Sequence, residues 1–169
     1  MSWTRNKRDL INKNYKGNKE EHILKQYEIF VDSSEKVSSN RMTTNNFYLG
    51  ANTALFAIAG YLSILSKSFV VIILSIIGIL LCLSWASNLA SYKRLNSAKF
   101  RVIHDLEEHL PARIFTKEDE YLNSYYTLTK LERYIPYLFI ILYGIILILF
   151  LPSLIAYLIN NVSLGGYIK

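Results

Sequence analysis

The sequence predicts an all-α membrane protein with three transmembrane helices, and with amphipathic cytoplasmic helices before the first span and between the second and third. Three stretches without a charged side chain carry this prediction, at residues 42–66, 68–92 and 134–168 of the 169-residue chain. A helix rises about 1.5 Å per residue, so about 20 residues cross a hydrocarbon core of about 30 Å. Each stretch is long enough to span a membrane.

The charged side chains lie in two blocks that flank these stretches. Nine Lys or Arg residues fall within 1–41 and eight within 93–133, whereas Lys67 and Lys169 stand alone on the other connections. Cytoplasmic segments near the ends of spans retain the excess of Lys and Arg. We therefore expect the N-terminus and residues 93–133 in the cytoplasm and the C-terminus on the far side. These cations account for the net charge of +6 and meet anionic headgroups, so nucleic acid is not an expected partner.

The residues before the first span divide into two parts. Residues 1–19 are rich in Lys, Asn and Arg and predict a flexible cytoplasmic tail. From residue 20, apolar side chains recur at steps of three and four, which is typical of an amphipathic helix. This helix is predicted over 20–45 and leads into the first span at 46–65. Its apolar positions are Ile23, Leu24, Tyr27, Phe30, Val31 and Val37.

The second and third spans are predicted at 69–92 and 134–160, with a short non-cytoplasmic tail at 161–169. Between the spans, residues 93–133 predict two short cytoplasmic helices. The first ends before Pro111, because proline cannot continue a helix. The second is predicted to begin at Thr116, whose side chain would cap it ahead of acidic residues. The inward positions are Leu95, Val102, Ile103, Leu106 and Leu110 in the first helix, and Tyr121, Leu122, Tyr125, Leu128 and Leu131 in the second.

Polar side chains interrupt the first two spans near their cytoplasmic ends. Asn52 and Thr53 lie in the first span, and Ser84 and Asn88 lie at helical spacing in the second. Because the two spans run antiparallel, all four side chains are expected at a similar depth. Polar groups in lipid need partners, so we predict an intramembrane polar cluster that bonds the helices together. The alternative is that these side chains line an aqueous cavity.

The charged segments show no pattern that predicts catalysis. His104 and His109 flank an acidic run but stand five residues apart, whereas two metal ligands on one helix face need a separation of three or four. The sequence contains no phosphate-binding loop, dinucleotide turn or placed nucleophile. We therefore expect no enzymatic activity, no metal and no cofactor.

Two segments resemble the RipA family of small octameric bacterial membrane proteins. The first, RMTTNNFYLGANTAL at residues 41–55, enters the first span, and the second, at residues 92–112, leaves the second span. The second contains the elements Leu-Asn-x-x-Lys-Phe and Leu-Glu-x-x-Leu-Pro, and Tyr121 stands where the family pattern has Trp. The matching positions are Tyr92, Leu95, Asn96, Lys99, Phe100, Leu106, Glu107, Leu110, Pro111, Phe115 and Glu120.

The resemblance implies a homo-octamer in the bacterial inner membrane with a periplasmic C-terminus, and it carries no enzymatic activity. In a cytoplasmic ring, Glu107 would meet a basic side chain. Two functions follow as hypotheses: a scaffold or interaction platform for an unidentified protein partner in envelope or stress adaptation or growth in a host, and a channel lined by the intramembrane polar cluster. The expected interface between copies comprises Leu95, Asn96, Lys99, Phe100, Ile103, Leu106, Glu107 and Leu110.

Overall fold

The computed structural model describes residues 10–65, 67–122 and 132–165, and the regular secondary structure within them is α-helical. Three of the helices are long and apolar enough to cross a membrane. The predicted all-α class with three candidate spans is thereby confirmed. The expected inward positions from Tyr125 to Leu131 lie outside the described residues. The helices are α1 (Lys19–Ile64), α2 (Ser68–Glu107), α3 (Ile114–Leu122) and α4 (Ile135–Gly165).

The first helix begins where a local cap satisfies its free N–H groups. The Asn18 side chain accepts a hydrogen bond from the Glu21 backbone N–H at 3.5 Å and donates one to the Glu21 carboxylate at 2.8 Å. Asparagine is among the preferred residues at this position because it replaces a missing intrahelical acceptor. The segment 20–45 and the first predicted span form one helix, since neither proline nor glycine occurs between Asn18 and Gly50.

The chain divides into two compact units. The first, which we call the charged unit, comprises the described residues of 10–40 and 92–122. It packs the first part of α1 against the last part of α2 and against α3. Its buried side chains include Ile23, Ile103 and Leu106. The Phe115 ring lies 6.2 Å from the Tyr27 ring and so joins α3 to α1.

The second unit, which we call the apolar unit, comprises the described residues of 41–91 and 132–165. It contains the apolar parts of α1, α2 and α4. Trp85 and Tyr143 are its largest fully buried side chains. A Cβ atom at Gly78 would lie 2.4 Å from Cζ of Tyr143, so the absence of a side chain there lets α4 approach α2 closely. Close approach at small residues is a common way for helices to pack in lipid.

Candidate functional site

Asn52 is fully buried in the apolar unit and joins three helices. Its side-chain N–H donates to the Tyr48 carbonyl at 2.8 Å, and its side-chain oxygen accepts from the Cys82 thiol at 3.1 Å. Its own backbone carbonyl accepts a hydrogen bond from the Tyr143 hydroxyl at 3.1 Å. The polar groups of this residue therefore find their partners inside one chain, as a group placed in lipid requires.

Ser84 and Asn88 meet at one hydroxyl group, that of Tyr48. The Asn88 amide donates to this hydroxyl at 2.8 Å, and the Ser84 hydroxyl lies 2.9 Å from it. The Tyr48 ring stacks on the Trp85 ring, with centroids 6.0 Å apart and planes 7° apart. The indole N–H of Trp85 donates in turn to the Asn45 side chain at 2.9 Å. These hydrogen bonds and the stacked rings join α1 to α2.

The structure thus brings three of the four predicted cluster residues to the contact between α1 and α2, with Tyr48 as their common neighbour. Thr53 stands apart from them. Its side chain is exposed, and its hydroxyl donates to the Leu49 carbonyl of its own helix at 2.8 Å. The sequence analysis missed Tyr48 and Trp85. Helical spacing was an available signal for Tyr48, which precedes Asn52 by four residues, whereas Trp85 is adjacent to Ser84 and no spacing points to it.

A second polar centre lies in the charged unit, where the buried Glu107 carboxylate accepts four hydrogen bonds. One oxygen accepts from the Phe115 backbone N–H at 2.7 Å and from the Tyr27 hydroxyl at 3.2 Å. The other accepts from the Thr116 backbone N–H at 2.9 Å and from the Thr116 hydroxyl at 2.7 Å. Both backbone N–H groups belong to the first turn of α3, where they lack intrahelical acceptors. Glu107 therefore caps α3 from the end of α2.

One expectation about this region is wrong. Thr116 lies inside the first turn of α3, which begins at Ile114, because the carboxylate of Glu107 supplies the cap that a local side chain would otherwise provide. The expectation that Glu107 meets a basic side chain concerns a ring of copies, and it stays a prediction. Among the described residues its hydrogen-bond donors are two backbone amides and two hydroxyl groups, all uncharged.

Burial and these hydrogen bonds together set the ionisation of Glu107 and Tyr27. Burial alone would raise the pKa of Glu107, but the hydrogen bonds from Thr116, Phe115 and Tyr27 outweigh burial and hold this pKa below its ordinary value. Burial, then the charge of Glu107 and its hydrogen bond, raise the pKa of Tyr27 to about 12. The pair is therefore an ionised carboxylate beside a neutral phenol at neutral pH.

The other residues expected at an interface between copies divide by burial. Ile103 and Leu106 are buried in the charged unit, and Phe100 and Leu110 are partly buried there. Leu95 remains 47% exposed. The two polar residues Asn96 and Lys99 are partly buried in the charged unit. The Lys99 ammonium donates to the Ser33 hydroxyl and lies 5.4 Å from the centre of the Phe30 ring, and the Asn96 side-chain oxygen is buried without a partner among the described residues.

The described residues contain no group of three or more His, Cys, Asp or Glu side chains placed to hold a metal ion. One ring nitrogen of His104 is buried without a hydrogen-bond partner in that part of the chain, and its ring meets the Phe100 ring edge-on at 6.3 Å. In the described part of the chain, His104 therefore packs against an aromatic ring and is not part of a group of possible metal ligands.

Comparison with known proteins gives one match. A family model described as the octameric membrane protein family (8xMP) matches residues 24–152, which is about three quarters of the chain. The match includes residues of both units, and it agrees with the resemblance noted in the sequence. No curated protein and no solved structure matches.

Proposed function

The chain belongs to the octameric membrane protein family, and from this premise we propose that it is a non-enzymatic scaffold, a homo-octamer whose charged units present a platform for partner proteins. The proposal includes an inner-membrane location with the charged units in the cytoplasm. It draws on the 17 Lys and Arg residues in 1–41 and 93–133, against two elsewhere. An assembly of eight copies of so small a chain needs contacts between the copies. We assign to the assembled copies the role of a scaffold.

The observation that carries this proposal is the internal pairing of the polar side chains in the apolar unit. Asn52 bonds to Tyr48, Cys82 and Tyr143 within one chain. Ser84 and Asn88 both bond to the Tyr48 hydroxyl. A pore lining needs polar groups that face water and exchange partners with passing ions. Groups that already have their partners inside one chain instead hold the helices together, which supports a scaffold over a channel.

The outer surface of the apolar unit also supports a scaffold. Most of the exposed side chains described along α4 are bulky and aliphatic, among them Ile141, Ile145, Ile148 and Leu149, each at least 49% exposed. Such a surface suits lipid tails. The hydroxyl of the exposed Thr53 donates to the Leu49 carbonyl of its own helix, so it is satisfied without water.

The first test is native mass spectrometry of the protein released from a mild detergent. We expect a species of eight times 19.6 kDa, about 157 kDa. The same preparation, reconstituted into liposomes, is expected to give no ion flux above that of empty liposomes. A monomer or dimer would refute the assembly. Flux that disappears in Asn88→Leu, but persists in the exposed-site control Thr53→Val, would refute the scaffold and favour the channel.

A further inference from the structure

The outer face of α1 in the apolar unit is lined mostly by small side chains. They recur at steps of four and three residues, so at 3.6 residues per turn they fall within an arc of about 80°. The exposed positions of this surface, which we call the α1 face, are Asn46, Gly50, Thr53, Ala57 and Gly60. A Cβ atom at Gly50 or Gly60 would meet nothing within 4 Å, whereas one at Gly78 would meet the Tyr143 ring. In the described structure, the close approach that these two glycines permit is therefore not used within the chain.

The outer face of α2 has the same width but carries bulky side chains. They also recur at steps of three and four residues, within an arc of about 80°. The positions of this α2 face are Ile73, Ile76, Leu80, Leu83 and Ser87, and the four aliphatic ones are between 40% and 61% exposed. The centre of each face lies about 140° around its helix from a buried residue, Ala59 on α1 and Cys82 on α2. Both faces therefore point away from the core of the apolar unit.

The two faces match position by position along the antiparallel helices. The stacked rings of Tyr48 and Trp85 place these two residues level with each other. The hydrogen bond from Cys82 to Asn52 agrees with this register to within one residue. The steps of the two faces then coincide, because each step of four or three residues on α1 meets an equal step on α2. In order along α1, the level pairs are Asn46 with Ser87, Gly50 with Leu83, Thr53 with Leu80, Ala57 with Ile76 and Gly60 with Ile73.

A ring of identical copies would bring the two faces together at the same height. In a cyclic assembly whose axis lies along the membrane normal, rotation moves each copy without a vertical shift. The contact in such a ring joins two different surfaces of one chain, as the α1 face and the α2 face are. Each aliphatic side chain of the α2 face would then meet Gly, Ala or Thr at its own height. The α1 and α2 helices of neighbouring copies would thus run antiparallel in the register that they already have within one chain.

Each face ends in a polar side chain that has no partner in its own chain. Asn46 and Ser87 are exposed, and neither forms a hydrogen bond with the described residues. The charged residues nearest to them along the chain are Arg41 and Lys93, five and six residues away, or about 7.5 Å and 9 Å along the helices. By contrast, the exposed Thr53 hydroxyl donates to a carbonyl of its own helix. Polar groups within a span need partners, and a contact between copies would pair these two at one height.

We propose that the α1 face of one copy packs against the α2 face of the next copy, and that eight such contacts close the ring within the membrane. The inference rests on the proposed octamer and names its contact surfaces. The occupant of each face is a second copy of this chain, because side-chain size and polarity match at all five heights within one sequence. Lipid tails adapt to any apolar surface and require no such match. Close approach at small residues also suits a membrane, where van der Waals packing and hydrogen bonds hold helices together.

Disulfide cross-linking in membranes tests the contact directly. One variant carries Asn46→Cys with Ser87→Cys, and a second carries Gly50→Cys with Leu83→Cys, so each has two thiols at one height on different faces. After mild oxidation, both are expected to give a ladder of linked species up to about 157 kDa on a denaturing gel, because only bonds between copies produce a ladder. The matched control carries Asn46→Cys with Ile76→Cys, whose heights differ by eleven residues, or about 16 Å. It is expected to remain at 19.6 kDa, because a disulfide cannot span that distance.

A change of side-chain size tests the same contact without added thiols. Gly50→Leu fills the α1 face opposite Leu83 and is expected to lose the 157 kDa species in native mass spectrometry. Gly144→Leu on α4 is the matched control, since a Cβ atom there also meets nothing within 4 Å, and it is expected to remain octameric. No ladder from either level pair, a ladder from the displaced pair, or an octameric Gly50→Leu would overturn the proposed contact. If the unaltered protein is itself not an octamer, the proposed function fails instead, so the two failures are distinct.

Discussion

Replacing Glu107 by glutamine changes the buried cap of α3 while nearly preserving its size. The carboxylate offers two oxygens, and each accepts two hydrogen bonds in the charged unit. The glutamine amide offers one oxygen and one NH₂ group. Whichever way the amide is oriented, its NH₂ group faces a backbone N–H of α3, from either Phe115 or Thr116. One buried donor is therefore left without an acceptor.

The expected cost follows from the hydrogen bonds that are lost. A buried donor without a partner costs about 1–3 kcal/mol, and a hydrogen bond to a charged acceptor contributes about 1.5–3 kcal/mol. The hydrogen bonds that remain would be to a neutral oxygen and therefore weaker. We expect Glu107→Gln to destabilise the first turn of α3 by about 2 kcal/mol or more. Since about 1.4 kcal/mol corresponds to a factor of ten, this is roughly a 30-fold change in the opening equilibrium.

Hydrogen exchange measured by mass spectrometry on the intact, detergent-solubilised protein would check this. The peptide that covers residues 112–120 should exchange roughly 30-fold faster in Glu107→Gln than in the unaltered protein. Glu108→Gln is the matched control, because Glu108 is the exposed neighbour and loses the same charge. If both variants exchange within about twofold of the unaltered protein, the cap does not stabilise α3 and the reasoning fails.

Three further predictions test other parts of the structure. The pKa of Glu107 is lower in the folded chain, so its stabilisation of α3 should be complete above its ordinary value of 4.5 and disappear as the pH falls through the lowered pKa, measured by exchange of the same peptide. Gly78→Ala should lower the stability of the apolar unit by about 1–3 kcal/mol, because the new methyl group would overlap the Tyr143 ring, whereas Gly50→Ala meets nothing within 4 Å; equal melting temperatures for the two variants would contradict this. Asn52→Leu should reduce the yield of intact octamer in native mass spectrometry, because the Cys82 thiol of α2 would lose its hydrogen-bond acceptor on α1. An unchanged yield would show that the polar cluster does not hold the helices together.

The spans could be predicted from the sequence because lipid imposes a simple rule on it. A run of about 20 residues without charge satisfies that rule whatever its neighbours are. The boundaries of α2 show the limit of this rule. The predicted span ends at residue 92, yet the helix continues to Glu107, because a helix need not stop where its side chains become charged.

The partners of the polar side chains could not be predicted in the same way. Asn52, Ser84 and Asn88 were expected at one depth, which follows from antiparallel spans. The position of the Tyr48 hydroxyl between Ser84 and Asn88 depends on the rotation of α1 about its axis, which no pattern in the sequence defines. An aromatic residue near a membrane boundary is ordinarily expected to be an interfacial anchor. Tyr48 instead contributes its ring to Trp85 and its hydroxyl to α2.

Glu107 could not be predicted as a cap for a related reason. A glutamate is almost never fully buried unless it is paired, so a glutamate on a helix is expected to face water or a cation. Here the chain turns between α2 and α3 and brings two free N–H groups back to the carboxylate. The cost of burial is offset by a contact between residues eight and nine positions apart. Local capping rules consider only the four residues around a helix start, and they selected Thr116.

In the proposed octamer, the number of copies must be specified by surfaces that discriminate between partners. Aliphatic side chains such as those of α4 gain little by leaving lipid tails for another helix, because both surroundings are apolar. The polar groups of Asn52 and Asn88 are already bonded within the chain and have little left to offer a neighbour. In water, by contrast, like charges on facing surfaces cost several kcal/mol and opposite charges fix the register. A change of charge on the exposed surface of the charged unit should therefore alter the assembly more than a change of aliphatic side chain on α4.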